Sequence, residues 1–256
     1  MMNYIRAEFY KVFRRKYTWI TLAVVLALEA LLVSGWVFTN AHGNHVDFYT
    51  GAVMLTQMLS FGFFASMITC DMVFAGQYKN STLKNEVSFG LPRGRIYLGK
   101  LAVQTILSLL FCVVMLAFYL GLCYVTLYRD PAQDLLAMKI VGYCLLCSLP
   151  LWLGVQAVCC ACMFLIKSEL GSAVIAVMVF YVSAYVLDLG ALLCGNTALG
   201  TALRTIYNYM PSTLLAKSSE VVGDWAFCGQ TWLIGMLWLV VFTAIGLMGF
   251  QKKEIK

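Results

Sequence analysis

Six apolar stretches, each near or above the roughly 20 residues a helix needs to cross about 30 Å of hydrocarbon, fill most of the sequence. They fall at about 17–38, 51–73, 101–127, 140–166, 170–194 and 230–250, with only loops and short polar segments between them. A backbone in lipid must satisfy its own hydrogen bonds, and runs of this length do so as helices. Composition agrees: 62% of the 256 residues are apolar and 12% are charged, whereas a soluble domain carries about 25% charged residues. A soluble globule could not hide this much apolar surface. The expectation is an all-α integral membrane protein with six transmembrane helices in one transmembrane domain over 1–256. The net charge of +6 does not point to nucleic acid, because the basic residues sit in short clusters beside apolar runs.

Those clusters set the orientation. Arg129, Lys139, Arg204 and Lys217 fall on one side of the spans and the other fourteen of the 18 basic residues on the opposite side. By the positive-inside rule the richer side is cytoplasmic. An even number of spans then places both termini there. The first stretch follows Arg14, Arg15 and Lys16, as in a secretory signal, but it is too long for a signal's apolar region and lacks a small-x-small cleavage site. It reads as a retained span.

Between the spans, segment 3–16 carries Ile5, Phe9, Val12 and Phe13 at helical spacing with most of its basic residues elsewhere around the helix. An amphipathic elbow helix on the inner leaflet is expected. In the outer segment 195–229, Leu199, Leu203, Ile206, Tyr207 and Met210 repeat at helical period until Pro211 breaks the pattern, which predicts one or two short outer helices.

Several motifs that could carry chemistry fail on context. Gly94 to Lys100 matches most of a phosphate-binding loop, but Leu101 stands where the magnesium-binding hydroxyl belongs, and the segment leads into a span. Cys144, Cys147, Cys159, Cys160 and Cys162 have metal-like spacing inside an apolar helix without a His or charged partner. They read as packing thiols. Cys194 and Cys228, at either end of the outer segment, leave a bridge open. His42, His45 and Asp47 form a loop too short for a complete metal site, and Asn80-Ser-Thr82 is a glycosylation acceptor on the wrong side of the membrane. No Ser-His-Asp or paired-carboxylate constellation is visible, so an enzyme is not expected. The tryptophans, mostly near span ends, read as interface anchors.

Acidic residues within the spans carry more. A charge at mid-bilayer costs at least roughly 2.5–3.5 kcal/mol and faces protein, a water-filled cavity, or a proton. Glu29, halfway along the first span, is the strongest candidate for a substrate path, with Asp188 toward the outer end of the fifth span. Asp71 at the inner end of the second, and Asp188 as well, can also be read as simply reaching headgroups or the aqueous rim.

The loop 74–100 is the most informative. Leu83, Val87 and Leu91 recur every four residues on one face of a short helix, with Lys84, Asn85 and Glu86 around it. A helix held at the membrane surface between two long spans suits a docking element for a cytoplasmic partner. Ser81-Thr-Leu-Lys-Asn85, Gly90-Leu-Pro-Arg93 and Ile96-Tyr-Leu-Gly-Lys100 resemble the loop of ABC-2 type permeases, nearest to the permease subunits of bacitracin-export and lantibiotic-immunity transporters. The elbow Glu8-Phe-Tyr-Lys11 and the basic tail extend the likeness in outline. The resemblance implies a permease subunit of an ATP-driven exporter in the bacterial cytoplasmic membrane. It would move amphipathic peptides or peptide antibiotics and pair with a second permease, in a homo- or heterodimer, and with two ABC ATPase subunits. ATP and magnesium would sit on the ATPase and no cofactor on this chain. The loop helix would be the coupling helix, carried over to Asn80, Thr82, Leu83, Lys84, Asn85, Glu86, Val87, Pro92 and Arg93. An ATP-independent ion-coupled transporter or channel using Glu29 and Asp188 is the alternative. Its mark would be Gly- or Pro-interrupted spans in corresponding halves, and the sequence shows none. A membrane scaffold or sensor is a third.

Overall fold

A computed structural model of the chain describes residues 2–43, 45–75, 77, 82–166 and 168–253, with the side chains of 82, 169 and 170 outside the description. Among these residues the chain is a succession of helices: α1 (Met2–Phe13), α2 (Lys16–Ala41), α3 (Phe48–Met58), α4 (Phe61–Phe74), α5 (Thr82–Ser88), α6 (Arg93–Thr126), α7 (Pro131–Leu165), α8 (Glu169–Val177), a π-helical turn (Met178–Val182), α9 (Ser183–Cys194), α10 (Ala198–Asn208), α11 (Pro211–Lys217) and α12 (Trp225–Lys252). Five spans are long and apolar enough to cross a membrane, and the bent pair α3–α4 makes a sixth. The protein is an all-α, multi-pass membrane protein.

The spans start and stop where local chemistry allows. Asp47 caps α3 by accepting from the Thr50 amide (2.9 Å), and Asp130 and Asp224 cap α7 and α12 in the same way. The turn between α1 and α2 is closed by Thr18 and Trp19, whose side chains donate to the carbonyls of Val12 and Phe13, each at 2.8 Å. Gly90, at φ +83°, takes the left-handed conformation that ends α5 and lets Pro92 open α6. The helices of the third and fourth spans begin at Arg93 and Pro131, earlier than the apolar runs from which the sequence places them.

Helix α7 is the central post. It is buried over 72% of its most apolar stretch, against 6–22% in the other unbroken spans. Its closest partner is α12, whose Gly235 lies against α7 so tightly that a Cβ there would overlap the Pro150 carbonyl. Pro150 cannot donate, which strands the carbonyl of Leu146 one turn earlier. Trp232 supplies the missing donor, Nε1 to Leu146 O at 3.2 Å, so this tryptophan completes a broken helix ladder.

The second span departs from the continuous helix the sequence suggests. α3 and α4 meet at a 60° bend, with no proline present. The Trp152 indole lies against Gly62, where a Cβ would clash with it, and Tyr181 donates to the Ser60 carbonyl within the break at 3.0 Å. Tyr181 belongs to the π-helical turn of the fifth span, so the two irregular segments face each other. Phe63 and Phe64 of α4 pack on Phe180 and Tyr181, with Phe64 and Tyr181 stacked at 5.1 Å. The second span is thus interrupted by a bend and the fifth by a π-helical turn, neither of them at a proline.

Candidate functional site

Two regions gather polar groups. The first lies at the end of the bundle where α1, α5 and the C-terminus of α12 meet. Leu83 is buried, and Val87 and Leu91 pack against the same core, so α5 is seated by the apolar face that its spacing marks out. Lys84, Asn85 and Pro92 are exposed. Glu86 is turned toward α1, accepting from Tyr4 Oη at 3.0 Å and Lys11 Nζ at 3.3 Å. Asn80 and the Thr82 side chain lie outside the described residues. Sequence reasoning passed over Phe89, which is 87% exposed on the turn after α5 and breaks the four-residue repeat.

The same end holds a buried ion pair. Glu8 is 1% and Lys100 is 2% exposed, and they meet at 3.0 Å with Lys11 on the other Glu8 oxygen at 2.5 Å. Burial opposes the Glu8 charge, but the facing Lys100 and Lys11 more than offset it and hold the carboxyl below its ordinary range. Lys11 is desolvated as well, and its bonds to Glu8 and Glu86 hold its ammonium above the usual value. Gly99 lies under the Tyr4 ring, where a Cβ would collide with it. The elbow and the start of α6, two of the segments that carry the family likeness, are thus fastened by an ion pair 92 residues apart in sequence.

Basic side chains also close three helix C-termini here. Arg15 donates to the carbonyl of Met72 in the last turn of α4, at 2.7 Å. Lys253 donates to Phe164 O and Leu165 O at the end of α7, at 2.8 and 3.1 Å. Arg93 donates to the carbonyls of Phe250, Gln251 and Lys253 around the end of α12, at 2.6–2.9 Å. A cation at a helix C-terminus satisfies orphan carbonyls and opposes the negative end of the helix dipole. Arg93 therefore closes the end of the last span.

The second region is a cavity of about 470 Å³ halfway along the spans, lined by α2, α3, α4 and α6 with Trp152 of α7. Glu29 lines it, and its Oε2 is buried without a hydrogen-bond partner; Trp152 Nε1 is likewise buried and unpartnered. Tyr119 is committed to Gly51 O (2.8 Å) and Ser66 to Gly62 O (2.8 Å). Ser108 accepts from Gln156 Nε2 at 2.8 Å, and Gln156 pairs in turn with Gln104. That buried amide pair on α6 and α7 escapes the sequence because each glutamine sits alone in an apolar run. Asp188 does not join Glu29: it is exposed on α9 and does not line the cavity. Asp71 lines a smaller hollow of about 310 Å³ with Tyr17, Cys70 and Cys159.

At the opposite end, Asp47 is occupied as a cap, His42 Nδ1 meets Phe38 O at 2.8 Å, and His45 faces the Tyr128 ring. Cys194 and Cys228 are free thiols.

Long apolar helices, a half-buried surface helix clamped to an amphipathic N-terminal one, and a cavity within the spans define a polytopic membrane protein of the transporter class. The chain belongs to the ABC-2 family: the family model described as ABC-2 family transporter protein matches residues 4–183. That stretch covers the elbow, α5, every residue lining the cavity and the π-helical turn. No curated protein matches the chain. As a family member it is a membrane subunit of an ABC transporter.

Proposed function

We propose that the chain is the permease subunit of an ATP-driven ABC exporter, energised by a separate ATPase that grips α5 from the cytoplasm. The observation that carries this reading is how α5 is held. One face is sunk in the core through Leu83, and Glu86 is tied to Tyr4 and Lys11 of α1, while Lys84, Asn85 and Phe89 are left facing outward. A rigid seat beneath and an exposed aromatic above suit a lever pushed by another protein, because a large exposed side chain bounded by polar groups is the usual anchor of an interface. The clustering of basic residues at this end supports a cytoplasmic location for it and for both termini. The membrane is the bacterial cytoplasmic one. Two ATPases and a second permease, identical or not, complete the transporter, and ATP with magnesium resides on the ATPases. Amphipathic peptides or peptide antibiotics are the cargo that the likeness to bacitracin and lantibiotic permeases suggests.

Co-purification of an ABC ATPase with this chain, together with its ATP hydrolysis, tests the reading. Phe89→Ala and Asn85→Ala leave the seat of α5 intact and should weaken capture of the ATPase at least tenfold while the permease stays folded. Full capture by both variants would refute it.

An ion-coupled transporter is favoured by one feature, the facing irregular turns of the second and fifth spans. Of the two acids that reading would use, Glu29 lines the cavity beside the bend of the second span, whereas Asp188 lies beyond the π-helical turn and is exposed.

A further inference from the structure

Among the described residues, the cavity contains an acidic side chain with no basic one beside it. Its 23 lining residues include Glu29 and no Lys, Arg or His. The Glu29 Oε2 and the Trp152 indole N–H are both buried with no partner, although polar groups buried in protein are almost always satisfied. Ser66, Thr69 and Tyr119 give their hydroxyl protons to backbone carbonyls, so none of the three donates to Glu29. Helix α2 packs on α1 and α6 and makes no comparable contact with α4. The cavity is therefore bounded by two helices that do not pack on each other, and a molecule dissolved in the membrane has a lateral route to it.

We propose that this cavity binds a single-chain amphiphile bearing a protonated amine, with the ammonium against Glu29, an adjacent acceptor on Trp152 Nε1, and the alkyl chain along Val25, Leu28, Phe61 and Phe111. An opposite charge brought by the ligand offsets the cost of a carboxylate within the spans. A phosphate or carboxylate head would meet no cation and would sit beside a like charge. A volume of about 470 Å³ accommodates one small molecule of ordinary ligand size, a single chain or the tip of a larger amphiphile rather than a folded peptide. This names the substrate class of the export path, and it rests on the transport reading only for the fate of the ligand once bound.

The test uses the purified full chain in nanodiscs of zwitterionic lipid and reads quenching of Trp152, taken as the difference between the native chain and Trp152→Phe. The probes are 12-bromododecylammonium, 12-bromododecanol and 12-bromododecanoate. The ammonium probe should half-saturate the quenching at a concentration at least tenfold lower than the alcohol, with the carboxylate weakest. Glu29→Gln should bring the ammonium and alcohol together, and Ala65→Phe, which fills the cavity, should abolish saturable quenching by all three. Equal binding of ammonium and carboxylate by the native chain would overturn the proposal, as would an ammonium preference that survives in Glu29→Gln. Because no ATPase is present, these outcomes stand apart from those of the docking experiment.

Discussion

The basic end of the bundle and the cavity at mid-span both hold ionisable groups in low-dielectric surroundings, yet they treat them in opposite ways. At the basic end Glu8, Lys11, Lys100 and Glu86 form one connected set, and Arg15, Arg93 and Lys253 are seated on helix ends. In the cavity Glu29 and Trp152 are left open. Folding alone explains the first region, since each charge has a partner that stabilises it. It does not explain the second, because a fold gains nothing from a buried carboxylate without a partner. The contrast separates charges that hold the molecule together from one that waits for something else.

The contrast breaks most visibly at Glu8. Glu8→Ala strands Lys100 in the core and should cost about 3–5 kcal/mol, read from thermal or detergent unfolding. Replacing both partners by apolar residues, Glu8→Leu with Lys100→Met, should recover most of that loss. The same pair sets an acid limit. Its carboxyl is held below its ordinary value of 4.5 when folded, so its contribution is present above that value and is lost as pH falls through the folded one. Amide exchange in α1 should accelerate over that interval before the long spans respond. Trp232→Phe, which leaves the Leu146 carbonyl without a donor beside Pro150, should cost about 1–3 kcal/mol. Arg93→Ala should remove about 0.5–2 kcal/mol and raise exchange in the last turn of α12. Glu29→Gln should change stability least, within about 0.5 kcal/mol or slightly upward, because no protein contact is lost. A loss there as large as that of Glu8→Ala would erase the distinction between the two regions.

The sequence reveals the spans and the surface helices because each is written in local periodicity, and α5 sits on the apolar face that Leu83, Val87 and Leu91 define. What it hides is set by distance or by likeness. Lys100 reads as a loop residue bounding the third span, whereas it lies about two turns inside α6 because Glu8, far away in the chain, neutralises it. The bend at residues 59–60 leaves no mark because the residues around it are as apolar as a straight span and the cause is Trp152 and Tyr181 on other helices. Trp232 was legible in principle: a proline inside an apolar helix orphans the carbonyl four residues earlier, and an indole is a natural donor for it. Glu29 was legible as an isolated acid in a span, but that its neighbours offer no counter-charge required the packing of α2, α4 and α6.

Arg15, Arg93 and Lys253 carry a double duty. While a chain is being threaded into lipid, a cation holds its loop back from crossing; once the helices have gathered, these three become the plugs of α4, α12 and α7. On the proposed cytoplasmic placement of this end, orientation and cohesion are written in the same few letters. Neutralising one of them loosens a finished helix end and weakens the vote that decided which way the polypeptide faces, so a variant with inverted topology would also be a softer protein.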